Sequence, residues 1–316
     1  MADLMVGGGG AGAPRGLVAG DALGGFLTAV ADRLGGAPVR FDRLPTGPLR
    51  GVCGRLTLDD GRAVHVTAAG WNSPGITELR REVLISDRIA AVGPALLCAV
   101  REVESCVLVH ELVSGRSVSL VPGSPDLAPV GDFLLRSAKA LAGDPVGQVG
   151  VLGDALRFWP SWERFAGSAW SRAVLDPREA RVLQRLTALD GRAQRLGGPA
   201  VVHGSLHPGN LLITPDGGVT AVGWRRARFG PAWADAALLV PHLVEAGRDP
   251  AGAEAWARQY AGLDQADEDD LTALAVALAG RVWWRDHGPT NPYGFPWRVG
   301  RDAALRWMRF RLACHS

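Results

Sequence analysis

Apolar and polar residues alternate along this chain in two rhythms, and the switch between them divides it. Between residues 39 and 112, short apolar runs with a period near two predict strands over 39–44, 50–58, 63–67, 98–101 and 106–112. Asp59-Asp60-Gly61 joins the second strand to the third, because glycine and aspartate tolerate the positive φ that a tight hairpin needs. Two stretches in this part follow a period of 3.6 instead. Residues 21–34, with Leu23, Phe26, Leu27 and Val30 on one side, and residues 76–92 predict helices. The run Pro122 to Pro125 marks a boundary, and beyond it helical spacing dominates.

In the second part Leu127, Val130, Phe133, Leu134 and Leu141 define a helix capped at Ser124 and Pro125. Another opens at Asp176-Pro177-Arg178-Glu179, with an acid at the cap, proline at the first position and a capping-box glutamate, and closes at Gly197-Gly198. Further helices are predicted over 233–246, 251–261, 270–286 and 301–313, with a proline- and aromatic-rich loop over 291–297. One segment interrupts the helices: a short apolar strand over 200–202, a polar loop from His203 to Asn210, and strands over 211–214 and 219–224 joined at Asp216-Gly217-Gly218. A polar loop with two histidines and an asparagine, set between buried strands, is a natural place for chemistry.

That segment, 201–224, resembles the catalytic segment of the aminoglycoside phosphotransferase and choline kinase-like family. The family pattern is His-Gly-Asp-x-His-x-x-Asn, a hairpin, then Ile-Asp-Trp or Ile-Asp-Phe. The chain reads His203-Gly204-Ser205-Leu206-His207-Pro208-Gly209-Asn210 and later Val222-Gly223-Trp224. The resemblance implies an α+β, bilobal protein-kinase-like fold, with a small β-rich N-lobe and its hinge over 21–115 and a mostly helical C-lobe over 116–316, while the glycine run argues for a disordered tail over 1–20. It further implies that the first aspartate orients and deprotonates the acceptor hydroxyl, while the asparagine and the second aspartate hold magnesium against the nucleotide phosphates. Ser205 stands at the first of these positions and Gly223 at the second, so both acids are missing.

The family's phosphate-gripping lysine belongs on the third strand, where this chain has His65. Lys139 is the only lysine among 34 basic residues, so no lysine serves that strand. Glu82 is the counterpart of the helix glutamate, and an imidazole at His65 protonated by Glu82 could do part of the lysine's work. The segment 107–115, ending past Glu111, resembles the hinge that meets an adenine edge, and equally reads as a core strand running into a loop. The glycine-rich run 47–54 fits no specific phosphate motif. Asp235, in Gly230-Pro231-Ala232-Trp233-Ala234-Asp235, matches a family acid that ties a helix start to the loop, and His203 braces the loop by hydrogen bonds.

Composition narrows the classes. Hydrophobic residues make up 47% of the 316 positions and charged residues 21%, the balance of a globular protein. A net charge of +2 argues against nucleic acid and membrane partners. Cys53, Cys98, Cys106 and Cys314 lack metal-ligand spacing and argue for reduced thiols in a cytoplasm. Arginine, alanine and glycine enrichment points to a GC-rich bacterial genome. The residues at 1–20 lack the basic start and apolar run of a signal peptide.

Three readings follow. In the first, a degenerate phosphotransferase without the lysine and both aspartates binds a small molecule, a peptide or a partner protein and requires no cofactor. In bacteria of this kind its setting would be natural-product biosynthesis, by analogy with family members. Trp162 and Trp284 would then line a ligand groove, or else pack the core. In the second, an active phosphotransferase uses ATP and magnesium with His65, Glu82, Glu111 and Asn210, the metal resting on Asn210 alone, and His207 or a substrate group as base. In the third, Arg225 and Arg226, which follow Trp224 where relatives carry an acid, hold an anion without metal, or are simply solvated. Ser205 as a hydrolase nucleophile lacks the Gly-x-Ser-x-Gly elbow.

Overall fold

The computed structural model describes residues 21–44, 51–73, 75–101, 105–159, 161–168, 177–287 and 298–314. The amino-terminal tail, part of the glycine-rich run, the cap at Asp176, the side chain of Glu179, the loop over 291–297, Trp170 and Trp297 lie outside the described residues or side chains.

Helix α1 (Asp21–Leu34) is followed by an antiparallel five-stranded sheet in the order β1-β2-β3-β5-β4, made of β1 (Pro38–Arg43), β2 (Gly51–Leu58), β3 (Ala63–Gly70), β4 (Leu96–Arg101) and β5 (Ser105–Glu111). Helix α2 (Gly75–Ile89) crosses between β3 and β4. Alternation sorts the sheet residues by face. Val64, Val66 and Ala68 of β3 join Leu56, Leu58, Val107 and Val109 in a core with Leu27, Val30 and Ala31 of α1. Ala69, Cys106 and Leu108 join Ile76 and Leu79 of α2 in a second, smaller core. His65 shares the parity of Ala69, so it lies on the α2 side.

After a two-residue strand β6 (Arg116–Ser117) come α3 (Leu127–Ala140), α4 (Leu152–Phe158), α5 (Trp162–Ala166) and α6 (Pro177–Ala193). The interrupting segment supplies β7 (Ala200–Val202), β8 (Leu211–Ile213) and β9 (Val219–Ala221). Strand β10 (Arg228–Gly230) pairs with β7, and β8 lies between β6 and β9. Helices α7 (Ala234–Glu245), α8 (Pro250–Ala257), α9 (Glu268–His287) and α10 (Arg301–Cys314) complete the chain. The last predicted strand stops early, at Ala221, because Gly223 adopts φ +84° and ψ +44° and turns the backbone into a single 3-10 turn, Trp224–Arg226. Helices α4 and α5 escape a periodicity reading because neither completes more than two turns, and β6 (Arg116–Ser117) and β10 (Arg228–Gly230) because neither contains an apolar run.

The two parts dock through α2. The ideal Cβ position at Gly93 lies 2.5 Å from Trp224 Nε1 and 3.0 Å from the Ala221 carbonyl oxygen, so only glycine lets the end of α2 approach the β9 turn. The Ala221 N–H donates to the Val92 carbonyl at 3.3 Å, and Arg88 donates to the Asp144 carbonyl at 2.9 Å. Trp224 is 1% exposed and donates its indole N–H to Ala221 O at 2.9 Å. Burying a side chain of that kind stabilises by roughly 1.5–3 kcal/mol, which ties the turn to the helical part. No helix among the described residues is long and apolar enough to cross a membrane.

Candidate functional site

The loop between β7 and β8 is held by one buried acid. Asp235, in the first turn of α7, accepts the backbone N–H of His203 at 2.7 Å and of Gly204 at 3.0 Å. Gly204 has φ +72°, a conformation that glycine adopts without strain. His203 is fully buried, and its Nε2 stands 3.1 Å from the Val222 carbonyl while Nδ1 stands 3.3 Å from Ser205 Oγ. A proton on Nε2 satisfies both contacts, with the Ser205 hydroxyl donating to Nδ1. Burial holds the imidazole down at about 4, so it is neutral. His203 and Asp235 brace the loop in this geometry.

Asn210 braces it too. Its amide oxygen accepts the His207 N–H at 2.9 Å, and its amide nitrogen donates to the Ser205 carbonyl at 3.0 Å. Its backbone carbonyl accepts from Val222 N–H at 2.9 Å, joining the loop to the β9 turn where Gly223 sits. Nothing lies within 4 Å of an ideal Cβ at Gly223. A magnesium ion here would meet one neutral amide oxygen already accepting a hydrogen bond, and no carboxylate from Ser205 or Gly223. A hard dication needs several oxygens, anionic by preference, so these residues do not fit a magnesium site. The described residues hold no group of three or more His, Cys, Asp or Glu side chains able to hold a metal ion.

The facing wall is built by β2, β3, β5 and α2. His65 pairs across the sheet with His110 on one side and Arg55 on the other. Its Nε2 stands 3.2 Å from Cys53 Sγ, and burial with nearby Arg225 pushes it down to about 4. The expectation of an imidazole charged by Glu82 is therefore corrected. Glu82, 6% exposed, stands 3.7 Å from His110 Nε2 instead, and burial raises its carboxyl to about 7 against the opposing pull of Arg225. His110 is itself held at about 4 by burial and by His65, so this contact joins two groups that both favour their neutral forms. The charge facing this wall comes from Arg225, reaching across from the Trp224–Arg226 turn.

Arg226 turns to other partners. Its guanidinium lies 3.6 Å from Glu78 Oε1 and 5.9 Å from the Trp159 ring centroid. Arg225 and Arg226, adjacent in sequence, thus meet different partners while each stays within electrostatic reach of the other. His207 is partly buried, accepts the Gly209 N–H on Nδ1 at 3.0 Å, and is held at about 3 by burial, His242 and Arg298. An imidazole so depressed is a weak general base near neutral pH.

Trp162 follows the second of its two readings. It is 8% exposed, donates to the Val276 carbonyl at 2.8 Å and stacks on Trp283 with centroids 6.3 Å apart, so it packs the helical core rather than a groove. Trp284 is half-buried on α9. Glu111 is exposed at the end of β5, where its Oε2 accepts the Ala95 N–H at 3.3 Å. Sequence reasoning missed Cys53, His110, Arg81 and Arg228. Strand parity carries a signal for the first two, and the spacing of Glu78, Arg81 and Glu82 on α2 for the third. Arg228 has no signal before β10 is known to pair with β7.

The family is decided by a match of residues 27–276 to the model of the phosphotransferase enzyme family. The chain belongs to that family. Its fold recurs in solved structures at low identity. Aminoglycoside phosphotransferase APH(4)-Ia is 14% identical with a TM-score of 0.57, the match covering 94% of this chain and 98% of that one. An aminoglycoside phosphotransferase from Alicyclobacillus acidocaldarius is 16% identical with a TM-score of 0.51, covering 89% and 91%. Amicoumacin kinase hAmiN, in complex with AMP-PNP, Ca2+ and Ami, is 14% identical with a TM-score of 0.52, covering 86% of each chain. Among curated protein sequences none matches. The α+β architecture, with its sheet in the amino-terminal part and its helices in the carboxy-terminal part, is that of these kinase-like neighbours.

Proposed function

We propose that this member of the phosphotransferase family acts as a pseudokinase, working by binding and not by phosphoryl transfer. One observation carries the reading. Where a metal and a base would act, the chain presents the Ser205 hydroxyl, the bare Gly223 backbone and an Asn210 amide engaged at both ends, with Arg225 supplying the charge of the opposite wall. Phosphoryl transfer depends on cations that neutralise the phosphates and on a group that orients the acceptor. A serine hydroxyl cannot take a proton at neutral pH, and a depressed His207 takes one weakly. The protein on this reading needs no cofactor. It serves in a bacterial cytoplasm as an accessory or binding protein for a small molecule, a peptide or a partner protein, with natural-product biosynthesis as the setting.

Isothermal titration with ATP, run with Mg2+ and again with EDTA, tests it. The expected outcome is no magnesium-dependent heat at millimolar nucleotide and no magnesium-dependent ATP turnover. Micromolar binding that EDTA abolishes would overturn the reading in favour of an active kinase. Metal omission is the better control than Asn210→Ala, because Asn210 also holds the loop.

A further inference from the structure

A second cluster of arginines lies under α2, beside the start of the loop at His203 to Asn210, where Arg228 pairs with Val202 across the strands. Glu78 and Arg81 sit one turn apart on the face of α2 that meets the Trp224–Arg226 turn. Arg226 approaches Glu78 at 3.6 Å and lies over the Trp159 ring. Arg228 completes the group, donating to the Arg226 carbonyl at 3.2 Å and the Ala227 carbonyl at 2.8 Å. Arg81 lies within electrostatic reach of both Arg226 and Arg228.

Charge in this cluster does not balance. Three guanidinium groups face one close carboxylate, Glu78, whose second oxygen is buried without a hydrogen-bond partner among the described residues. Arg81 has Nε and one terminal nitrogen buried with no hydrogen-bond partner among the described residues. The remaining nearby acid, Asp154, is half-exposed and already accepts from Val151 N–H at 3.2 Å and Arg157 at 3.4 Å. Burial, with repulsion from Arg81 and Arg226, pushes Arg228 down to about 9, and burial with repulsion from Arg225 lowers Arg226. Crowded, half-desolvated guanidinium groups with too few acids gain most from an added oxyanion, because their planar forks bond such oxygens in pairs. Trp159 contributes a flat apolar wall to one side.

We propose that Arg81, Arg226 and Arg228, with Trp159 beside them, form a metal-free site for an oxyanion, the phosphate or carboxylate group of a small molecule, wedged between α2 and the β9–β10 turn. Such an anion bridges the sheet part and the helical part of the chain, so its binding fixes α2 on the helical part. Arg225 adjoins the site through its charge on Arg226 and turns toward the wall of His65 and Glu82.

The test uses the full chain in EDTA, without nucleotide. Inorganic phosphate, acetate and chloride at matched ionic strength are titrated by calorimetry and by thermal shift. Phosphate or acetate is expected to bind and raise the melting temperature where chloride does not, and the stronger of the two names the ligand class. Arg81→Gln should weaken that binding about tenfold or more by removing one fork of charge-assisted hydrogen bonds. Arg225→Gln removes a charge that reaches Arg226 but no fork of the site, so it should weaken binding clearly less than Arg81→Gln does. Equal shifts with chloride, or unchanged binding in Arg81→Gln, would overturn the site. Should Arg81→Gln fail to fold, Arg226→Lys keeps the charge, loses the fork and decides in its place. Failure here leaves the ATP titration unaffected, and an active kinase there leaves this result unaffected.

Discussion

Asp235 holds His203 by its backbone: the carboxylate accepts the His203 N–H at 2.7 Å, across 32 residues of sequence, and the neighbouring Gly204 N–H at 3.0 Å. One acid thereby fixes the start of the polar loop to the first turn of α7. The same residue satisfies two buried donors that no strand partner reaches, which makes the loop's shape depend on a side chain rather than on a ladder.

Asp235→Ala should leave both donors unpaired and cost about 2–5 kcal/mol, on the scale of one to three for each buried donor left unpaired. Asp235→Asn keeps one acceptor and sets an N–H against the other donor, so it should also destabilise. Urea unfolding monitored by tryptophan fluorescence checks both. A change below half a kilocalorie in either would show that the loop is held elsewhere.

Two glycines should respond differently to alanine. At Gly223 there is open space, so Gly223→Ala carries only the strain of φ +84°, on the order of 1 kcal/mol. At Gly93 a Cβ would meet the Trp224 indole at 2.5 Å, so Gly93→Ala must push α2 off the helical part and cost more, about 1–3 kcal/mol or above. Denaturation midpoints of the two variants give the ranking, and equal midpoints would contradict a close approach of Gly93 to Trp224.

Acid should weaken the fold. His65, His110 and His203 are held at about 4 in the folded protein, below the 6.5 of an exposed imidazole. A group whose folded value is depressed in this way favours the neutral form. Its contribution is complete above 6.5 and is lost as pH falls through the window from 6.5 towards 4. The fully buried His203 alone accounts for up to roughly 3 kcal/mol at 1.36 kcal/mol per unit. Unfolding measured at pH 7.5 and pH 5 should show the drop, and His110→Gln should reduce it.

Glu82 has the opposite sign. Its folded value is raised from 4.5 to about 7, so stability is complete below 4.5 and declines as pH rises to about 7, with no further loss above. Glu82→Gln should therefore stabilise the protein at pH 8, by roughly 1–3 kcal/mol, and make little difference at pH 4.5. Arg225→Gln removes the charge that favours the Glu82 carboxylate and should enlarge the pH 8 penalty. Melting curves at the two pH values decide, and a destabilised Glu82→Gln at pH 8 would show that the carboxylate has a stronger partner than His110.

What the amino-acid order determined by itself was local. Period-two runs and helical runs located the sheet and the long helices, with α1 matching at both ends, because burying an apolar face imposes those periods within a single element. The motif spacing from His203 to Gly223 likewise pointed to the family and to the loop, since identity at a position needs no third dimension. Tertiary structure alone decided which charges meet. Glu82 faces His110 rather than an ionised His65, because the strand pairing of β3 with β5 and the desolvation of both rings are properties of the folded sheet. Trp162 enters the core because α5 lies against α9. Arg225 and Arg226, identical neighbours in the chain, part company at a 3-10 turn made possible by the positive φ of Gly223, and the sign and surroundings of a charge are set by that turn, which no periodicity encodes.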